Sequence, residues 1–272
     1  MALIYEDKTE VLRRCFFDVQ NEVGLGRREE VYHSACKVWL TDHGVPFASK
    51  HPHPLTFRGQ VALVLLPDLV VWDSITVELK AVPRGTRSTE FVQLFDYLKC
   101  RNDRLGLLVN MGLDRVQVER FVFEKSETTL EEDWTYWSAR IPSPVRNVGR
   151  SVRDALREIY QEHGTGYGEG VLEKLILFAL LSYRLKVVVK PICRSYYRGV
   201  ELDESCLGCM VVENCIVLTF TALFDGNEFN IHRSKSYLKA LGLEWAIATN
   251  FGKRKAQLTG VRSRVQTSEC HG

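Results

Sequence analysis

No apolar run in this 272-residue chain approaches the roughly 18–20 residues needed to cross a bilayer. The opening stretch, MALIYEDKTEVLRR, lacks the apolar core of a signal peptide, because Glu6, Asp7 and Lys8 fall where that core would lie. Both absences lead to the expectation of an intracellular protein, cytoplasmic or nucleoid-associated, with no membrane partner. A strong net charge is missing too: the total is +2, so no general affinity for polyanions follows from it. Eight cysteines, scattered over this length, read as reduced thiols rather than a disulfide framework. What remains is an ordinary globular balance, 45% hydrophobic and 26% charged, on a chain long enough for two domains. The charges are unevenly spread, net −3 over residues 1–140 and net +5 over residues 141–272. That suits a split between metal chemistry and phosphate holding, and equally a surface charged without purpose.

The chain repeats itself. GLGRREEVY from Gly24 aligns with GTGYGEGVL from Gly164, an offset of 140 residues, and TFRG ending at Gly59 aligns with YYRG ending at Gly199 at the same offset. LLPDLVVWDSITVELKAV aligns with CLGCMVVENCIVLTFTAL at 141, which places Asp68 on Cys209. YLKCRNDRLGLLVNMG from Tyr97 returns to 140 with YLKALGLEWAIATNFG from Tyr237. Four blocks in one order mark a tandem duplication. The expected division is a first domain at 1–123, a linker at 124–149, a second domain at 150–262 and a frayed polar tail at 263–272. The linker assignment rests on the acidic stretch Glu124–Asp133 and the turn-forming IPSPVRNVG.

Periodicity gives the elements of one copy. Residues 7–22 and 29–43 read as helices, the second with an apolar stripe of Tyr32, Ala35, Cys36, Trp39 and Leu40. Residues 53–58, 61–72 and 74–82 read as strands, 88–101 as a helix, and 105–110 and 116–123 as two more strands. The expected fold class is α/β (or α+β), a central mixed sheet flanked by helices in each copy.

Chemistry concentrates in the first copy. TVELK alternates, with Val77 and Leu79 on one face and Thr76, Glu78 and Lys80 on the other. A half-buried strand with its charges in water would look the same. Asp68, however, follows Pro67 inside the apolar run LVLLPDLVV, where an unpaired carboxylate is costly to bury. Neighbouring strands carrying Asp68 and Glu78 can bring two carboxylates together, and such a pair calls for a hard cation, magnesium or manganese. Gln93 and Tyr97 share a helical face, a spacing that packing also produces. Glu29 opens a helix, where a carboxylate is favoured by the helix dipole whatever else it does.

Taken in order, G26-xx-E29-xx-Y32, P67-D68, E78-L79-K80, Q93-xxx-Y97-L98-K99 and the LLVNMG strand resemble the GxxExxY family of PD-(D/E)XK nucleases over residues 20–122. The Gln93/Tyr97 helix is similar to that of the RecB-type branch. The resemblance implies two tandem restriction-endonuclease-like units and a Mg2+- or Mn2+-dependent nuclease whose partner is nucleic acid, DNA by family likeness alone. It also implies that Asp68, Glu78 and the Leu79 carbonyl hold the metal, with Glu29 contributing directly or through water. Lys80 would position the attacking water, and Gln93 and Tyr97 would orient the lysine, the water or a phosphate.

Across the repeat Asp68 becomes Cys209, Glu78 becomes Thr219, Lys80 becomes Thr221 and Gln93 becomes Arg233, while Glu169 and Tyr237 keep the Glu29 and Tyr97 identities. The second copy is therefore expected to be catalytically dead. Arg146, Arg150, Arg153 and Arg157 fall on one helical face, and Lys253, Arg254 and Lys255 follow a late strand. Without carboxylate competitors they would grip a nucleic-acid backbone; a solvated basic face is the plainer account. Cys193, Cys206, Cys209 and Cys215 resemble the cysteine spacing of iron–sulfur nucleases related to RecB, but read more simply as core cysteines than as ligands of a cluster or zinc. A non-catalytic scaffold, or a subunit acting only within a larger assembly, remains the competing function.

Overall fold

The computed structural model describes residues 4–137, 141–223 and 226–263. The chain divides into two units, one of residues 1–56 and 63–125, the other of residues 57–62 and 126–272. Each is a mixed α/β unit around its own sheet.

The first unit opens with α1 (Glu6–Val23), which buries Leu12, Cys15, Phe16 and Val19. Those spacings of three and four draw one apolar stripe down the helix. Gly24, at φ +77°, ends it in a conformation that a side chain would strain. The next helix, α2 (Glu29–Asp42), buries Tyr32, Cys36 and Leu40, while Ala35 and Trp39 of the expected stripe are only partly buried. The Tyr32 hydroxyl donates to the Gly24 carbonyl at 2.8 Å, so the tyrosine of the G26-xx-E29-xx-Y32 pattern ties α2 to the end of α1.

Five strands follow in the spatial order β1 (Phe47–Ser49), β4 (Leu69–Val71), β5 (Ile75–Lys80), β6 (Leu105–Asn110), β7 (Gln117–Val122). Only β5 and β6 run parallel, joined by the crossover helix α3 (Ser88–Arg101). Val77, Leu79, Leu107 and Val109 pack with α1 and α2 on one face; Leu94 and Leu98 of α3 cover Leu108 on the other. Because both faces are covered, the charges of TVELK do not lie in water.

The sequence showed one strand at 61–72; the structure has two. β3 (Gln60–Leu65) pairs with β2 (His53–Phe57) in a separate hairpin, and β4 belongs to the main sheet. Pro67, which has no N–H to donate, sits in the break. Short β1 carried too little pattern to be seen.

The second unit repeats the plan with α4 (Ser143–His163), α5 (Glu169–Ser182), β9 (Val187–Val189), the hairpin β10 (Ile192–Tyr197) and β11 (Val200–Cys206), β12 (Met210–Val212), β13 (Ile216–Ala222), α6 (Glu228–Leu241), β14 (Trp245–Phe251) and β15 (Lys255–Arg262). It also gains a strand. β8 (Thr129–Asp133) lies within the stretch expected to be a linker and pairs parallel with β15 at the edge of a six-stranded sheet. Its side chains alternate between exposed and half-buried, a pattern masked by its acidic composition. Helix α4 likewise begins inside that stretch, with Pro144 in its first turn, where a missing N–H costs nothing. The tail expected from residue 263 lies, from 264 onward, outside the described residues. Among the described residues no helix is long and apolar enough to cross a membrane.

Candidate active site

The hairpin of β4 and β5 sets the site. Trp72 and Asp73 both take positive φ in the turn, and the register pairs Leu69 with Val77. Continued by one residue, that register puts Asp68 opposite Glu78, on the face turned away from Val77 and Leu79. Asp68 is buried just before β4, its Oδ2 accepting the Leu79 N–H at 2.9 Å. His33 of α2 meets the Asp68 carbonyl at 3.1 Å and holds that backbone in place.

Glu78 is 2% exposed. Its Oε1 accepts from the Lys80 Nζ at 2.6 Å, while its Oε2 is buried with no hydrogen-bond partner. A bare buried carboxylate oxygen costs more than the ~1–3 kcal/mol of a neutral group left unpaired. Burial first, and the Asp68 charge second, push the Glu78 carboxyl up to about 8 against the pull of Lys80. Lys80 itself loses by burial, but Glu78, Glu29 and Asp68 outweigh that and hold its ammonium above the usual lysine range. Glu29, at the first turn of α2, stands 3.8 Å from the same Nζ; burial raises its carboxyl and the nearby Lys80 opposes the shift.

From α3, the Gln93 amide donates to the Tyr97 hydroxyl at 2.8 Å, and Tyr97 is buried. Burial, then the negative charge of Glu78, raise the Tyr97 hydroxyl out of titration range. Glu29, Asp68, Glu78 and Lys80 thus act on one another directly, Tyr97 feels the charge of Glu78 and Asp68, and Gln93 joins the group through Tyr97. Asn110, not picked out beforehand, donates to the Val82 and Arg84 carbonyls and accepts from the Gly112 N–H, fixing the loop after β5. Its signal was available: the N-x-G at the end of this strand recurs at Asn250.

Do these groups suit a divalent ion? The bare Glu78 oxygen and the hard-oxygen character of Asp68, Glu78 and Glu29 fit one. Yet no group of three or more metal-type side chains stands ready to enclose an ion among the described residues. Two carboxylates completed by a carbonyl and water are compatible with magnesium, which keeps part of its water shell.

The same frame carries different chemistry in the second unit. Thr219 bonds to the Ser234 hydroxyl at 2.7 Å, and Thr221 exchanges bonds with Asn230 and Asn250. Arg233 donates to the Asn230 side chain and to the carbonyl of Phe220, the counterpart of Leu79. Its charge acts on Glu169 and Cys209, the counterparts of Glu29 and Asp68.

The family model for the PD-(D/E)XK nuclease superfamily matches residues 6–121 and again 146–263. The chain belongs to the PD-(D/E)XK nuclease superfamily. Two matches, one over each copy, establish the tandem arrangement in this superfamily member. No curated protein and no solved structure matches it significantly.

The remaining expected residues separate. Arg153 and Arg157 of α4 both bind Glu132 of β8, at 2.5 and 2.8 Å, and Lys255 binds Glu131 at 2.7 Å. The basic face therefore has carboxylate competitors, supplied by β8 within the expected linker. Arg150, Lys253 and Arg254 stay exposed, and Arg146 caps the Ile141 carbonyl. Arg146, Arg150 and Arg153 share a cleft with Trp134 and Trp137. The four cysteines are not gathered: Cys206 is exposed on β11, Cys209 is in the core, Cys215 meets the Val212 carbonyl, and Cys193 meets the Ala240 carbonyl. Strand alternation disperses them.

Proposed function

We propose that the first unit is a divalent-metal-dependent nuclease of the GxxExxY type, cutting nucleic-acid phosphodiesters, with DNA the favoured substrate on family grounds. The observation that carries this is Glu78, a buried carboxylate paired across strands with Asp68 and keeping one oxygen bare beside Lys80. Structure alone gives no reason to retain such a group, since apolar or hydrogen-bonded side chains fill the equivalent place in the second unit.

Asp68 and Glu78 would hold magnesium or manganese, with the Leu79 carbonyl and Glu29 as further donors. When bound, such an ion lowers the pKa of its water and neutralises charge on the phosphodiester. Lys80, held by Glu78 and Glu29, supplies a fixed positive charge for the phosphoryl oxygens as negative charge builds. Tyr97, uncharged and oriented by Gln93, offers a neutral donor at the edge of the site.

In the second unit Arg233 supplies a positive charge where the first unit would recruit an ion, so this unit would neither bind metal nor cleave. Its cleft of Trp134, Arg146 and Arg150 would hold nucleic acid by backbone charge and stacking, with Arg153 and Arg157 committed to Glu132. The deciding experiment is cleavage of single- and double-stranded DNA and RNA with and without Mg2+ or Mn2+, beside Asp68→Ala and Lys80→Ala. Divalent-dependent cleavage lost in both variants supports the reading. Binding without cleavage under every divalent condition would leave a nuclease-fold scaffold instead, and Arg150→Glu with unchanged binding and salt dependence would remove the gripping role.

A further inference from the structure

The hairpin β10–β11 displays apolar and aromatic side chains to solvent: Ile192, Tyr196, Tyr197, Val200 and Leu202 are each at least 59% exposed. A two-stranded hairpin with no cover is marginal on its own, and exposed apolar groups concentrated on it point to a partner. The chain itself shows what kind of partner.

The repeat-equivalent tip, Phe57–Ala62, belongs to the second unit. There the Arg58 guanidinium makes two 2.7 Å bonds to Glu158 of α4, and its backbone N–H points at Glu162. The guanidinium also lies 4.3 Å from the Tyr183 ring centroid, and Tyr183 donates its hydroxyl to Glu158. Phe57 is fully buried, with its ring edge-on to Phe178. This is a bidentate ion pair next to an aromatic anchor, the arrangement that gives such contacts both strength and geometry.

Both halves of that contact recur 140 residues apart, exposed. On the tip side, Arg198 and Gly199 repeat the positive-φ turn of Arg58 and Gly59. Arg198 also lies over the Tyr197 ring, as Arg58 lies over Phe57. On the receiving side, the counterparts of Glu158, Glu162, Phe178 and Tyr183 are Asp18, Glu22, Val38 and His43, all on the surface of α1 and α2. Val38 is 61% exposed. The role of the Tyr183 hydroxyl passes to Trp39, whose indole donates to Asp18 at 3.0 Å and stacks on His43. Arg14, 3.8 Å from Asp18, is the local competitor.

We propose that the Tyr197–Arg198–Gly199–Val200 tip of one chain docks on the Asp18–Glu22–Val38 surface of a second copy of this chain. Tip and receiving surface are different patches, so the contact is heterologous and builds a ring or a row of chains.

Light scattering of the full chain after size exclusion, across a wide concentration range, tests this. Self-association is expected, and either Arg198→Glu or Asp18→Arg alone weakens it by about tenfold or more, because each sets like charges face to face. Mixing the two variants restores association, since one variant's altered tip meets the other's altered surface while the native pair re-forms. Circular dichroism checks that both variants fold, as expected for exposed positions. A monomer at every concentration, an unaffected Arg198→Glu variant, or a mixture that fails to recover would each overturn the proposal.

Discussion

One backbone frame carries two kinds of buried centre. In the first unit the strands β4 and β5 present Asp68, Glu78 and Lys80, and one carboxylate oxygen finds no donor. In the second, the matching positions hold Cys209, Thr219 and Thr221, and neutral hydroxyls and amides bond to one another beside the Arg233 guanidinium, whose Nε, like the Thr249 hydroxyl, is buried without a partner. The difference shows that the fold needs the shape of this centre but not its carboxylates. Threonine, serine and asparagine satisfy the interior at much lower desolvation cost than ionised groups. The carboxylates of the first centre are thus not a requirement of the fold.

The sharpest way to break this comparison is to remove one buried polar side chain from each centre. Asp68→Ala or Glu78→Gln should lower divalent-dependent cleavage by about a thousandfold or more, as loss of a metal-centred site implies. Thr219→Ala should leave the rate near wild type, and equal losses in both units would collapse the distinction. Next in size is Lys80→Ala, expected to cost about a hundredfold or more in rate with substrate binding largely kept. Single-turnover kinetics at saturating substrate separates the two.

Metal should stabilise one unit only. Saturating Mg2+ or Mn2+ at about a hundred times its Kd would add about 2.7 kcal/mol to the unfolding free energy of the first unit. Glu78→Gln should abolish that gain while Arg233→Gln keeps it, which differential scanning calorimetry can follow. Arg233→Gln should itself cost about 1–2 kcal/mol in the second unit, through loss of its bonds to Phe220 and Asn230.

The last contrast is a pH dependence. Lys99 is partly buried, and burial, with Lys125 nearby, pulls its ammonium down to about 8, whereas its counterpart Lys239 is exposed. Between about 8 and the ordinary lysine value of 10.5 the unfolded chain binds the extra proton, so stability from this group rises with pH across that window. Lys99→Met should remove the rise and stabilise the protein at neutral pH, whereas Lys239→Met should leave the denaturant midpoint unchanged at neutral and at alkaline pH.

Much of this was legible in the residues. The offsets of 140 and 141 identified the duplication, and the helix at 88–101 and strand at 105–110 came out with their observed limits, because long periodic segments have few alternatives. Strand 61–72 failed where a proline separates two apolar runs that no local signal assigns to different sheets. Strand β8 was hidden by acidic residues, since an edge strand needs only one half-buried face. The basic helix was read as unopposed because Glu132 is remote in sequence from Arg157 and meets it only through the pairing of β8 with β15.

By itself the sequence determined the two copies, the helices and several strands of one copy, and the six residues proposed for the candidate centre, since spacing and residue type are local properties. Only the tertiary structure decided that Glu78 keeps a bare oxygen, that Arg233 answers the Phe220 carbonyl, and that one hairpin tip is covered while its twin is exposed. Burial and pairing depend on what distant segments bring alongside, and no window of residues contains that.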